Sequence, residues 1–250
     1  MFPFLYKLLS GSTCSPFFTK STGARCARVV RAVLDVVSTC VPNDLPAQAA
    51  ACRGVIEWCR GQGTGAPPRT FLRHRVESKL ASVLLDMEDH PSALAVVDPL
   101  LVELKRLDDK QLLAEVHLVE CGIHHGLRGT RKARAALTSS RTCANAIYVP
   151  PALQARIDTM SGVLHCEEGD YNTAHSYFLE AFEQLDQRSD DKGVRERAMP
   201  CLKYMMLCRI LEGLSNALNL GSKGGIGKNV LHIFVPSSLT FLTSFMQLNP

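Results

Sequence analysis

Between Arg69 and Leu211 the apolar positions return every three or four residues in seven separate stretches, the period of one face of an α-helix. The clearest stretch runs from Gly169 to Leu185. There Ala174, Phe178, Ala181, Phe182 and Leu185 form a single stripe, and Gly169-Asp170 supplies a turn and an N-cap. The spacing predicts helices over 69–87, 91–106, 109–125, 130–146, 151–167, 171–187 and 195–212, preceded by two more over 24–40 and 47–60. The run Gly61-Gln62-Gly63-Thr64-Gly65-Ala66-Pro67-Pro68 between these groups has the composition of a loop. Pro99 inside the 91–106 helix predicts a kink or break, whereas Pro150-Pro151 stand at a helix start, where a missing N–H costs nothing. So many helices joined by short turns leave no room for a sheet.

The stripes also repeat as a unit. Ala93, Ala133 and Ala174 are spaced by 40 and 41 residues, and four residues after each stands Val97, Leu137 or Phe178. Twelve residues before each stands another small residue, Ala81, Cys121 or Gly162, where a partner helix must come close. Three positional classes recurring together predict an all-α fold, a right-handed α-solenoid of tetratricopeptide-like antiparallel helix pairs, each pair covering its neighbour's apolar face. The period of about 40, against roughly 34 for a tetratricopeptide unit, calls for somewhat longer helices.

Composition narrows the function. The net charge of +4 is too small and dispersed to argue for nucleic acid. The ten cysteines include no Cys-x-x-Cys pair, and Cys52 with Cys59 and Cys201 with Cys208 share helix faces. They read as small buried hydrophobes in a reducing compartment. Residues 1–23 lack acidic groups and stand outside the repeat as a disordered or unusual N-terminus; their prolines and phenylalanines spoil the amphipathic helix of a transit peptide. After Gly213 a divergent tail begins. Its Gly221–Lys228 run lacks both the first glycine and the final Ser or Thr of a phosphate loop, and the uncharged stretch 229–250 is interrupted by Pro236-Ser237-Ser238, which weakens it as a membrane span.

The one dense cluster of reactive side chains is Cys121-Gly122-Ile123-His124-His125 with Glu120 and His117. A Cys–His pair can make a nucleophile or hold a metal, but Cys121 already serves as a small residue of the repeat, and packing accounts equally for His165-Cys166 one repeat on. No catalytic, cofactor-binding or metal residue is therefore assigned, and no small-molecule substrate is expected. Arg69-Arg73-Arg75 and Arg128-Arg131-Lys132-Arg134 read as solvated faces that could meet an acidic protein partner.

Several of these pieces resemble a known family. Arg69-Thr70-Phe71-Leu72-Arg73, the stretch Leu101–Lys110, the run Lys132–Pro151 containing Ala136-Leu137-Thr138-Ser139-Ser140-Arg141-Thr142-Cys143-Ala144-Asn145-Ala146-Ile147-Tyr148, the stretch Ser176–Glu183 and the stretch Cys201–Cys208 are similar to the non-ATPase lid subunit eleven of the 26S proteasome, over residues 24–212. The resemblance implies a helical-repeat arm followed by a winged-helix PCI domain. It further implies a scaffold subunit that clamps the lid to the ATPase ring and the proteolytic core, in cytoplasm and nucleus, without catalytic residues. Against that pattern, residues 1–23 look foreign and 213–250 hold no PCI domain; a truncated isoform, or a gene model running into non-coding sequence, would account for such a tail. An array ending with the 195–212 helix would leave Leu202, Met205, Met206 and Ile210 without a next layer and favour self-association. The competing expectation is a free helical-repeat adaptor, held at a membrane by the tail.

Overall fold

The computed structural model describes residues 23–40, 44–60, 69–186 and 192–221. Among them there is no strand, and the helices are α1 Gly23–Cys40, α2 Leu45–Arg60, α3 Thr70–Asp86, α4 His90–Leu107, α5 Lys110–Gly126, α6 Thr130–Asn145, α7 Pro151–Glu167, α8 Tyr171–Asp186 and α9 Lys192–Gly221. This is the all-α, helical-repeat class that the periodicity predicts. The expectations for residues 1–22, for the loop over 61–68 and for the stretch 222–250 lie outside the described residues.

Two departures concern helix continuity. Helix α4 runs unbroken through Pro99, because Pro99 and Ala95, whose carbonyl loses its partner, both lie on the exposed side where water replaces the missing bond. Helix α9 passes Pro200 and Gly213 and ends at Gly221, beyond the boundary expected at residue 212. One internal glycine costs a helix only about 1 kcal/mol, and Leu214, Ala217 and Leu218 after it keep the helical spacing.

The chain divides into two compact units, one ending at Ala146 and the other beginning at Ile147. In the first, α1 packs on α2, α2 on α3, and so on to α6, with α3 also touching α5. A large part of its core is a cluster running from Val30 and Leu34 through Leu84, Val97, Leu100 and Leu104 to Ile123. In the second, α8 packs against both α7 and α9. Among its described residues one apolar cluster gathers Cys166, Tyr171, Ala174, Phe178, Cys208 and Leu211, and another joins Ala155, Ala181 and Cys201.

Three tight turns close the helix pairs α3/α4, α5/α6 and α7/α8, and they share one geometry. Glu88 and Arg128 both hold φ 60° and Gly169 holds φ 84°, in the left-handed region. The residue in that conformation donates its N–H to Leu85, His125 or Cys166 O at 2.9–3.1 Å, and the next residue donates to Leu84, His124 or His165 O at 2.8–3.0 Å. These paired bonds satisfy the last carbonyls of each first helix. Asp89 and Asp170 then cap the second helices by accepting from Ser92 N at 3.3 Å and Thr173 N at 3.2 Å, while Gly129 offers no side chain for the task.

Candidate interaction surface

The repeat positions are buried. Ala81 and Cys121 are fully buried on the first helices of their pairs, Gly162 is buried on α7, and Ala93, Ala133 and Ala174 are fully buried on α4, α6 and α8. Val97, Leu137 and Phe178, one turn further on, are buried as well. The α7/α8 contact is close: a Cβ placed on Gly162 would stand 2.8 Å from Cε1 and Cζ of Phe178. The Phe178 ring is itself backed by Tyr204, stacked at 5.0 Å with the planes 15° apart.

Polar bonds between helices add direction to this apolar packing. Ser140 Oγ, fully buried on α6, donates to Ala114 O of α5 at 2.8 Å. Asp158 of α7, 2% exposed, accepts from Gln154 Nε2 at 3.1 Å and from Gln184 Nε2 of α8 at 3.0 Å. In the first unit a charged network joins three helices. Arg60 of α2 pairs with Glu77 of α3 at 3.6 Å, and Arg73 pairs with both Glu77 and Glu103 of α4. His74 Nε2, on a side chain 3% exposed, lies 2.7 Å from the same Glu103 carboxylate. The hydrogen bond from His74, aided by the charge of Arg73, holds Glu103 below the usual carboxylate range. Burial pushes Glu77 the other way, against the pull of Arg73, His74 and Arg60. Arg69 sits 4.0 Å above the Trp58 ring. The expectation of a solvated Arg69-Arg73-Arg75 face is thus corrected: of the three only Arg75 is exposed, because Arg73 pairs with Glu77 one turn on and with Glu103 of α4, thirty residues away, and Arg69 lies over Trp58.

The Cys–His cluster takes a structural form. Cys121 is fully buried, and burial pushes its thiol up to about 12, so at neutral pH roughly one in 10^5 is thiolate and able to act as a nucleophile. His117 Nδ1 is held 2.7 Å from Glu120 Oε2 on the same helix, and that hydrogen bond keeps Glu120 below its ordinary range. Among the described residues no group of three His, Cys, Asp or Glu is placed to hold a metal ion. His165 stacks on Tyr177 at 5.4 Å and faces Asp170 Oδ2 at 3.9 Å. Cys52, Cys59, Cys201 and Cys208 are all buried.

What faces outward suits protein contact. On α6 the exposed residues Arg131, Lys132 and Arg134 follow exposed Arg128, and the helix contains no acidic residue. On α9, Met199, Met206 and Ile210 are 49%, 70% and 60% exposed at positions sharing one helix face, while Leu202 and Met205 are half-buried. Between α8 and α9 lies an open cleft of about 420 Å³ lined by Asn172, Thr173, His175, Ser176, Tyr177, Glu180 and Arg209. The periodicity located the buried positions, but the left-handed turn residues escaped it: Glu88 and Arg128 are not glycines, and only Gly169 carried a visible signal.

Comparison with known proteins adds sequence relationships to this geometry. A family model described as the 26S proteasome regulatory subunit RPN6 N-terminal domain matches residues 5–87, starting upstream of the resemblance noted from residue 24. The 26S proteasome non-ATPase regulatory subunit 11 homolog of Arabidopsis thaliana is 44% identical over 213 residues, covering 84% of this chain and 48% of the relative. The 26S proteasome non-ATPase regulatory subunit 11 of Dictyostelium discoideum is 44% identical over 212 residues, covering 85% and 49%. The 26S proteasome regulatory subunit RPN6 of Saccharomyces cerevisiae is 40% identical over 183 residues, covering 72% and 41%. The chain spans about half the length of these relatives.

Proposed function

This chain belongs to the 26S proteasome non-ATPase regulatory subunit 11 family, of which it carries the N-terminal part, and on that premise we propose that it is a non-catalytic scaffold of the proteasome regulatory particle. Its helical residues form the interaction arm, and its partners are other lid subunits, the ATPase ring and the core particle, in ubiquitin-dependent protein degradation. The positions Ala81, Ala93, Val97, Cys121, Ala133, Leu137, Gly162, Ala174 and Phe178 set the register of its helix pairs and carry no chemistry. Cytoplasm and nucleus are its compartments.

The observation that carries this reading is the identity to the named relatives, which covers most of the chain and therefore most of its helix pairs. The chemistry agrees. The most suggestive thiol, Cys121, is buried and held protonated, whereas the outward faces of α6 and α9 offer charge and apolar area. No helix among the described residues is long and apolar enough to cross a membrane. Lysine-directed cross-linking of the tagged chain in cells, read by mass spectrometry, tests the proposal. Cross-links from Lys132 or Lys203 to lid, ATPase-ring or core subunits are expected, and cross-links confined to proteins outside the proteasome would overturn it.

A further inference from the structure

Several cations of the first unit hold a carboxylate of their own chain: Arg60 and Arg73 on Glu77, Arg73 again on Glu103, Lys79 on Asp35 and Lys110 on Asp108. The start of α6 differs. Arg128, Arg131, Lys132 and Arg134 are all exposed there, and α6 contains no acidic residue. Two rules of local stability are broken at once. Cations in a first turn sit against the positive end of the helix dipole, and like charges three residues apart, as Arg131 and Arg134 are, repel each other. A locally unfavourable arrangement held on a well-packed helix marks a functional face. From this we infer that the outward face of α6 docks an acidic segment of a partner protein. The inference deepens the scaffold reading above and rests on it.

The shape of the face names the occupant. Arg131, Ala135, Thr138 and Thr142 follow one another at steps of four, three and four and form the centre of the exposed side, with Lys132 and Arg134 on its two flanks. The hydroxyls of Thr138 and Thr142 donate to the carbonyls of Arg134 and Thr138, both at 2.9 Å, so their donors are already bonded within the helix. The face is therefore cationic at its start and lined by small side chains beyond, where a partner helix can lie close. From Arg131 to Thr142 it measures roughly 17 Å, about three helical turns. The segment that fits carries carboxylates at one end and small or apolar residues at the other. Nucleic acid fits less well, because the cations cluster at one end of the helix and α6 has no aromatic side chain to stack on a base. An anionic membrane fits less well too, since α6 exposes no large apolar side chain to enter it.

The test places the photo-cross-linker p-benzoylphenylalanine at position 135 of the tagged full chain in cells, and mass spectrometry identifies the linked peptide. The expected adduct is a segment of a proteasome subunit that carries more acidic than basic residues within about two helical turns of the linked residue. Arg131→Glu combined with Lys132→Glu should lower this adduct about tenfold. Arg53→Glu combined with Arg75→Glu, matched in charge but exposed on α2 and α3, should leave it unchanged. Should a double variant lose its helical circular dichroism, the composition of the segment linked to the otherwise unaltered chain decides alone. An acidic segment from a protein outside the proteasome would uphold the chemistry of this face and overturn the scaffold reading instead. A neutral or basic segment, an adduct with nucleic acid or lipid, equal losses in both double variants, or no adduct at position 135 would each overturn the inference.

Discussion

Replacing Gly162 with alanine tests the α7/α8 contact with a single carbon. The new Cβ would lie 2.8 Å from two atoms of the Phe178 ring and 3.0 Å from a third, well inside van der Waals contact. Phe178 is 1% exposed and backed by Tyr204 at 5.0 Å, so the ring cannot yield without moving a second one. Two opposing effects decide the outcome. Alanine improves helix propensity over glycine by about 1 kcal/mol, while forcing extra volume into a packed contact costs about 1–3 kcal/mol. We expect a net loss of up to about 2 kcal/mol in urea unfolding followed by circular dichroism. The decisive comparison is the same substitution in a Phe178→Leu background, where the obstructing ring is gone. There Gly162→Ala should be neutral or stabilising, by up to about 1 kcal/mol. If alanine stabilises the parent as much as it stabilises Phe178→Leu, the steric argument is wrong.

Other consequences can be measured on the same samples. Gly169→Ala should cost about 1 kcal/mol although nothing lies within 4 Å of the added carbon, because φ 84° strains any side chain. Arg128→Gly, at the matching turn with φ 60°, should be neutral or stabilising by up to about 1 kcal/mol; equal losses at both sites in urea unfolding would refute a shared turn geometry. Glu103 sits below its ordinary 4.5 because it accepts from His74, so the stability it lends is present above that value and is lost as pH falls through the folded one. Acid titration of Glu103→Gln should therefore show a flatter fall in stability below about pH 5 than the parent, and a parallel curve would sink the network argument. In the folded chain at neutral pH, half-exposed Cys143 should react with iodoacetamide well before Cys121, whose thiol burial pushes up to about 12.

What could be read from the sequence follows from how local each signal is. The helices were legible because each apolar stripe, with a fully buried Ala93, Ala133 or Ala174 recurring in it, fixes a helix within a residue or two. The exposed arginines of α6 were legible for the same reason, since nothing acidic shares their helix. Arg73 was not, because its partner Glu103 is thirty residues away and only the α3/α4 packing brings them together. The turn at Glu88 escaped because an acidic residue seldom holds φ 60°, and the end of α9 because Gly213 resembles a stop when the helix beyond it is not weighed.

The central claim, that this chain is an arm of the proteasome regulatory particle, is tested most directly by gradient sedimentation of the tagged chain from cells kept under reducing conditions. The account predicts that the chain travels with assembled proteasomes and with their peptidase activity, and that it leaves those fractions when high salt strips the regulatory particle from the core. A chain that sediments wholly at the size of a free protein or a small oligomer, away from every proteasome fraction, would contradict it.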